Sequence, residues 1–98
     1  MFDKMKQLME MQKKMQEVKR QLDSANFDVT SADKSIRITM NGSQEVKAVS
    51  ILVEPGEMQK AALERAIKDV YNSAIKESHE LAAQKMKDVT GFNLPGLT

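Results

Sequence analysis

Residues 1–25 read MFDKMKQLMEMQKKMQEVKRQLDSA, and their apolar positions recur with the heptad spacing of an amphipathic helix. One series of positions, seven residues apart, comprises Met1, Leu8, Met15 and Leu22. A second series, three residues after the first, comprises Lys4, Met11, Val18 and Ala25. The two series form the a/d seam of a helix that packs against another helix. Because an isolated helix of this length is only marginally stable in water, the seam predicts a helical partner from this chain or from a second copy.

After residue 25 the apolar spacing changes from helical to alternating, which predicts a three-stranded antiparallel sheet within residues 26–54. The first strand is centred on Phe27 and Val29. The second strand covers residues 36–40, and the third covers residues 46–53. Each of the first two strands has one apolar face and one polar face, so the sheet is expected to be covered on one side by a helix.

The hairpin between the second and third strands is predicted to turn at Asn41-Gly42, a strong turn sequence. A three-residue loop ending at Ser43 would pair Ile38 with Val46 and would keep charged residues off the apolar face. The remaining apolar residues of the third strand would then lie on the opposite face, which the chain's own helices leave uncovered. A second subunit would cover them, so the predicted dimer interface comprises Val49, Ile51 and Val53.

A second long helix is predicted over residues 57–90, after the Pro55-Gly56 turn, and residues 91–98 form a tail. Glu57 would place an acid in its first turn, and Thr90-Gly91 would end it. At 1.5 Å per residue the two helices would be about 36 and 50 Å long. A compact domain of this size has a radius of gyration of only about 13 Å. We therefore expect one α+β domain with the order α-β-β-β-α and with projecting helical arms.

The composition of the 98-residue chain argues against catalysis and against a metal centre. It has no cysteine, and its one histidine, His79, stands among polar residues of the second helix. No Gly-rich phosphate loop follows a strand, and no spacing of His, Asp and Glu predicts a metal. We expect no enzymatic activity, no cofactor and no small-molecule substrate. No apolar segment is long enough for a membrane span or a signal peptide, so we expect a cytoplasmic protein.

Positively charged residues on the first helix are the best functional candidates, although the net charge is only +1. One outward row recurs every seven residues and comprises Lys6, Lys13 and Arg20. Such a row could follow the phosphates of a nucleic acid. An acid stands three residues before each member of the row, so the row can equally be a neutralised, solvated face.

Four further basic residues lie outside that row. Lys14 and Lys19 have fewer acids near them in the sequence, and a phosphate contact and a solvated position are equally good interpretations of them. Lys85 and Lys87 lie near the end of the second helix, where a cation stabilises the helix dipole whether or not it contacts a nucleic acid.

The methionines of the first helix have two interpretations. A Met row at helical spacing usually packs inside a chain or between two copies of it. It can also be an adaptable groove for another protein. The chain would then be a non-enzymatic interaction module that docks a partner through the Met-rich helix or the C-terminal tail.

Three segments, taken in order, resemble the YbaB/EbfC family of bacterial nucleoid-associated DNA-binding proteins. The first is MEMQKKM at residues 9–15, and the second is the hairpin with IRITMNG at 36–42 and EVKAVSI at 45–51. The third comprises Asn72-Ser-Ala74, Met86 and GFNLPG at 91–96. The resemblance covers nearly the whole chain.

The resemblance implies a non-enzymatic homodimer of α-β-β-β-α subunits whose protruding helical arms contact DNA. It implies binding to double-stranded DNA with low sequence specificity on the bacterial nucleoid, with an effect on nucleoid organisation or gene expression. The positions that match the arms are Lys6, Lys13, Lys14, Lys19, Arg20, Lys85 and Lys87.

Overall fold

The architecture comes from a computed structural model, which describes residues 2–54 and 56–91. Its elements in chain order are α1 (Phe2–Ser24), β1 (Asn26–Thr30), β2 (Ile36–Asn41), β3 (Val46–Ile51) and α2 (Lys60–Thr90). The predicted α+β class and the order of elements are confirmed. The predictions that concern Met1, Pro55 and residues 92–98 lie outside the described residues.

The core lies between α2 and the two strands β1 and β2. The sheet is antiparallel with β2 in the middle. Three apolar residues of β2 face one side of α2, and the fully buried cluster comprises Ile36, Ile38, Met40, Ala66, Val70 and Ala74. Ala66, Val70 and Ala74 recur every four residues, which places them on one face of the helix.

The predicted pairing of β2 with β3 is wrong. Ile38 lies opposite Val49 and Ile36 lies opposite Ile51, whereas the three-residue loop would have placed residues 46 and 48 there. The loop has four residues, 42–45, and the register shifts in β3 because Lys47 is an extra residue without a partner in β2. A bulge of this kind reverses the alternation of the strand beyond it.

The bulge changes the face on which the apolar residues of β3 lie. Residues directly opposite one another in an antiparallel pair share a face, so Val49 and Ile51 lie on the same side of the sheet as the core. They are nevertheless 57% and 58% exposed. They are exposed because α2 packs on β1 and β2, whereas β3 is the edge strand on the other side of β2. The exposure was predicted correctly, but the face was not.

Both helices have nearly the predicted extents, with one correction at the start of α2. Gln59 is extended at φ −69° and ψ 146° and precedes the first helical residue, so Glu57 lies before the helix and not in its first turn. Gly56, at φ 93°, and the bond from the Glu57 N–H to the Glu54 carbonyl oxygen form a turn that delays the helix. The end is as predicted, because Gly91 has a left-handed φ of 77° and its N–H donates to the Lys87 carbonyl oxygen at 2.8 Å.

The described residues form an elongated body of 66 × 23 × 16 Å with a radius of gyration of 18.1 Å. The predicted projection of the helices is therefore confirmed. α2 is continuous over 31 residues, and its first half packs on the sheet. Its second half leaves the sheet and packs against α1, which runs towards the sheet and ends there. The two helices are thus antiparallel.

Candidate nucleic-acid interface

The a/d seam of α1 is covered by α2 only near the sheet. Val18 is 4% exposed, and Met15 and Leu22 are half-buried. Further from the sheet Met11 is exposed, and Leu8 is 67% exposed. The predicted packing of the seam against a helix is thus confirmed for its half nearer the sheet, and the partner helix comes from the same chain. We call residues 2–16 of α1 and 82–91 of α2 the distal arm.

The distal arm is more positively charged than the rest of the chain. Its three carboxylates are Asp3, Glu10 and Asp88. Its six lysines are Lys4, Lys6, Lys13, Lys14, Lys85 and Lys87. This surplus of three positive charges exceeds the net charge of +1 for the whole chain, so the remainder of the chain is net negative. Such a segregation concentrates positive potential at one end of the molecule.

Acids neutralise the basic residues of α1 near the sheet. Arg20 Nε donates to Glu17 Oε2 at 3.0 Å. The acid three residues before Arg20 therefore forms an ion pair with it, as its spacing predicts. The Arg20 guanidinium, followed by the Gln21 amide, lowers the pKa of Glu17 to about 2. Lys19 Nζ lies 3.3 Å from Asp23 Oδ2. The expectation that Lys19 has few acidic partners was wrong, because Asp23 is one helical turn further along.

The lysines of the distal arm behave differently. Among the residues that the structure describes, Lys6, Lys13 and Lys14 make no ion pair, although Glu10 stands near them in the sequence. All three are exposed on α1. Lys87 is exposed in the last turn of α2, and Lys85 is half-buried in a cleft with Glu77 and Glu80. The structure therefore divides the predicted DNA-contacting residues into an unpaired group on the distal arm and the acid-paired Lys19 and Arg20.

A hydrogen-bonded joint fixes the direction of α1 relative to the sheet. The Gly42 N–H donates to the carbonyl oxygens of Leu22 and Ala25 at 3.0 and 3.1 Å. A Cβ at Gly42 would lie 2.6 Å from Leu22 Cδ2 and 3.2 Å from both Leu22 Cα and Leu81 Cδ2, so any larger residue would force the Leu22 side chain to move. We call Asp23, Asn41, Gly42, Ser43 and Ser78 the joint.

Side chains complete the joint from three elements. The Asn41 amide nitrogen donates to the Asp23 carbonyl oxygen at 3.1 Å, and the Ser43 hydroxyl donates to the Asp23 carboxylate. That hydroxyl, followed by the Lys19 ammonium, lowers the pKa of Asp23. From α2, the buried Ser78 hydroxyl lies within hydrogen-bond distance of the Asn41 and Gly42 carbonyl oxygens. The charged distal arm is therefore held on a specific polar support.

Sequence reasoning missed this support. The local sequence marks Asn41-Gly42 as a turn and gives Ser78 no role of its own. A signal was present, since Ser78 follows Ala66, Val70 and Ala74 in the same four-residue row and is the polar member of that buried row. The exposed side chains of Ile67 and Tyr71 on α2 were also missed as surface features.

The predicted dimer residues lie at the open edge of the sheet. Val49 and Ile51 are on β3, and Val53 follows the end of this strand and is half-buried.

Within residues 2–54 and 56–91, no group of three or more His, Cys, Asp and Glu side chains could hold a metal ion. Neither described helix is long and apolar enough to cross a membrane.

Comparison with known proteins gives one consistent result. The family model described as the YbaB/EbfC DNA-binding family matches residues 1–93. A nucleoid-associated protein of Afipia carboxidovorans is 33% identical over 97 residues, which cover 95% of this chain and 90% of the relative. A nucleoid-associated protein of Gloeothece citriformis is 34% identical over 98% of this chain and 82% of its own length. A nucleoid-associated protein of Clostridium kluyveri is 29% identical over 95% of this chain and 83% of its own length.

Proposed function

Because this chain belongs to the YbaB/EbfC DNA-binding family, we propose that it is a nucleoid-associated protein that binds double-stranded DNA as a homodimer. It acts on the nucleoid in the bacterial cytoplasm, without enzymatic activity, and it affects nucleoid organisation or gene expression. The observation that carries this proposal is the distal arm, where six lysines stand against three carboxylates.

The proposed DNA contacts are to phosphates. Lys6 and Lys13 are two turns apart, about 10 Å along the helix axis, so one face of α1 can follow several phosphates. Lys14 and Lys87 add charge at the same end of the molecule. Lysine is a compact point charge that does not distinguish bases when it contacts the backbone. This chemistry supports low sequence specificity.

Lys19, Arg20 and Lys85 belong to the proposed surface with smaller contributions. Lys19 and Arg20 already have carboxylate partners, so a phosphate has to compete with Asp23 and Glu17. Lys85 makes no ion pair within the described residues, but it is half-buried in a cleft with two glutamates and is therefore less accessible to a phosphate than the exposed lysines. A contact that replaces an existing ion pair releases less free energy than one made by an unpaired lysine.

The exposed edge of the sheet supports the homodimer. β3 presents Val49 and Ile51 beside a strand edge whose backbone groups are available for pairing. A second copy would cover these side chains and Val53 in a symmetric interface. A dimer also has two distal arms, and simultaneous contact through both raises the affinity beyond that of one arm.

A salt titration of DNA binding tests the proposal. Duplexes of unrelated sequence should bind with similar affinity, and log K should fall with log salt by about 0.9 per neutralised phosphate. Lys6→Gln/Lys13→Gln/Lys14→Gln should weaken binding to all duplexes equally and make the slope shallower. The matched control is Lys34→Gln/Lys60→Gln/Lys68→Gln, which removes the same charge outside the distal arm. Equal losses in the two triple variants would contradict a distal-arm site.

A protein-interaction module is the second candidate, and one observation favours it. Met5, Leu8 and Met9 are exposed on the distal arm, where α2 does not cover them. Methionine surfaces adapt to varied apolar partners. Affinity capture after nuclease treatment separates the candidates, since partners retained without DNA favour docking and their complete loss favours DNA bridging. Leu8→Gln/Met9→Gln should remove docking but leave the DNA salt slope unchanged.

A further inference from the structure

We propose that Asn41-Gly42 is a deamidation site that the folded joint keeps closed, so that the modification occurs when the joint opens. In this reaction the Gly42 backbone nitrogen loses its proton and attacks Asn41 Cγ. A C–N bond forms, ammonia leaves, and water then opens the cyclic imide to aspartate or isoaspartate. Glycine after asparagine favours the reaction because no side chain hinders the approach of the nitrogen.

The attacking nitrogen is occupied in the folded chain. The Gly42 N–H donates to the carbonyl oxygens of both Leu22 and Ala25, at 3.0 and 3.1 Å. Both acceptors lie at the end of α1, so the proton that must leave is directed into the helix terminus. Removing it requires separation of α1 from the hairpin.

The side chain under attack is also held in place. Asn41 Nδ2 donates to the Asp23 carbonyl oxygen at 3.1 Å and to Glu45 Oε1 at 2.9 Å. Asn41 Oδ1 accepts from the backbone N–H groups of Ser43 and Glu45, each at 3.0 Å. The residue is 0% exposed, which keeps water and hydroxide away from Cγ. Rotation of Cγ towards the Gly42 nitrogen would break all four bonds at once.

The product cannot rebuild the same joint. A carboxylate in place of the amide loses the N–H donors that now bind the Asp23 carbonyl oxygen and Glu45. It also places a negative charge beside the Glu45 carboxylate, which is unfavourable when partly buried. Isoaspartate additionally lengthens the backbone by one methylene group. One opening event can therefore become a permanent weakening of the attachment of α1.

The rate of deamidation should measure the opening of the joint. When opening and closing are fast, the observed rate equals the rate in the unfolded chain multiplied by the open fraction. Each tenfold slowing then corresponds to about 1.4 kcal/mol of opening free energy. This relation does not depend on DNA binding, so a failure of the deamidation proposal would be distinguishable from a failure of the proposed function.

The test uses the full chain at mildly alkaline pH and compares native buffer with denaturing urea. Peptide mapping by mass spectrometry quantifies aspartate and isoaspartate at residue 41. We expect deamidation to be at least about 100-fold slower in the folded chain, the factor given by an opening free energy of about 2.7 kcal/mol. Equal rates in the two conditions would overturn the proposal.

Two variants make the test specific to the joint. Ser43→Ala removes the bond to Asp23 and leaves the reacting atoms unchanged, so the folded chain should deamidate several-fold faster than the native sequence. Ser73→Ala, at an exposed serine of α2, should leave the rate unchanged. An unaltered rate in Ser43→Ala, or equal acceleration in both variants, would refute control by the joint.

A third variant tests the consequence of the modification. Asn41→Asp reproduces one product directly, and amide hydrogen exchange should then be faster in α1 while the first half of α2 keeps its protection. Unchanged exchange in α1 would refute the inferred weakening of its attachment.

Discussion

The Ser78 hydroxyl lies 3.1 Å from the carbonyl oxygen of Gly42, which connects the buried face of α2 to the hairpin on which α1 rests. Ser78→Ala removes a buried donor next to the carbonyl oxygens of Asn41 and Gly42. We expect the free energy of unfolding to fall by about 1–3 kcal/mol, the usual cost of a buried group left unsatisfied. Urea unfolding measures this change. Ser73→Ala is the exposed control and should change the free energy by less than about 0.5 kcal/mol.

Gly42→Ala should destabilise the chain through overpacking. The added Cβ would lie 2.6 Å from Leu22 Cδ2, and a loss of about 1–3 kcal/mol in unfolding free energy is expected. The double variant Gly42→Ala/Leu22→Ala removes the clashing methyl group, so it should lose less than the sum of the two single changes. Strict additivity in urea unfolding would show that the two positions do not contact each other.

Acid should destabilise the folded chain through three carboxylates. The Arg20 guanidinium lowers the pKa of Glu17 from 4.5 to about 2, and serine hydroxyls lower the pKa of Asp23 and of Asp33. Because these carboxylates bind protons more weakly in the folded chain, the stabilisation that they contribute to the folded state is complete above the unfolded pKa. It is lost as the pH falls through the folded pKa.

The window for this loss is set by Glu17 and lies between pH 4.5 and 2. The slope of unfolding free energy against pH should be shallower there in Glu17→Gln, and likewise in Asp33→Asn. A slope identical to that of the native sequence would show that these groups have the same pKa in the folded and unfolded chains. Thermal unfolding in a buffer series provides the measurement.

The β3 edge should control self-association. Val49→Lys/Ile51→Lys places two charges in the proposed interface and should shift the chain from dimer to monomer in sedimentation equilibrium. Ala48→Lys lies on the opposite face of the same strand and is the control for added charge. If the unmodified chain is a monomer at micromolar concentration, the proposed homodimer is wrong.

The predictable parts of the fold rested on repeated local patterns. The heptad residues Leu8, Met11, Met15 and Val18 specified α1, and alternation in β2 specified its buried face. The β3 register depended on one unpaired residue, Lys47, whose bulge has no distinctive local signal. Which half of the α1 seam would be covered depended on where α2 leaves the sheet, and this is a property of the assembled chain.

The candidate site was predictable in the same limited sense. Helical spacing placed Lys6, Lys13 and Lys14 on α1, and their exposure follows from it. The pairing of Lys19 with Asp23 depended on side-chain conformation near the joint, where Ser43 also binds Asp23. The hydrogen bond from the Asn41 amide to the Asp23 carbonyl oxygen, at the end of α1, joins residues that are 18 apart in sequence, so no local pattern could reveal it.

The placement of Gly42 has a mechanical consequence. α1 is a lever with its fulcrum at this residue, and its far end is about 30 Å away at 1.5 Å per residue. A rotation of about 10° at the fulcrum would displace that end by about 5 Å, comparable to one helical turn. Small adjustments in the packing of Leu22 and Leu81 around a single glycine would therefore be amplified at the far end of α1, and in the proposed homodimer they would change the distance between the two distal arms.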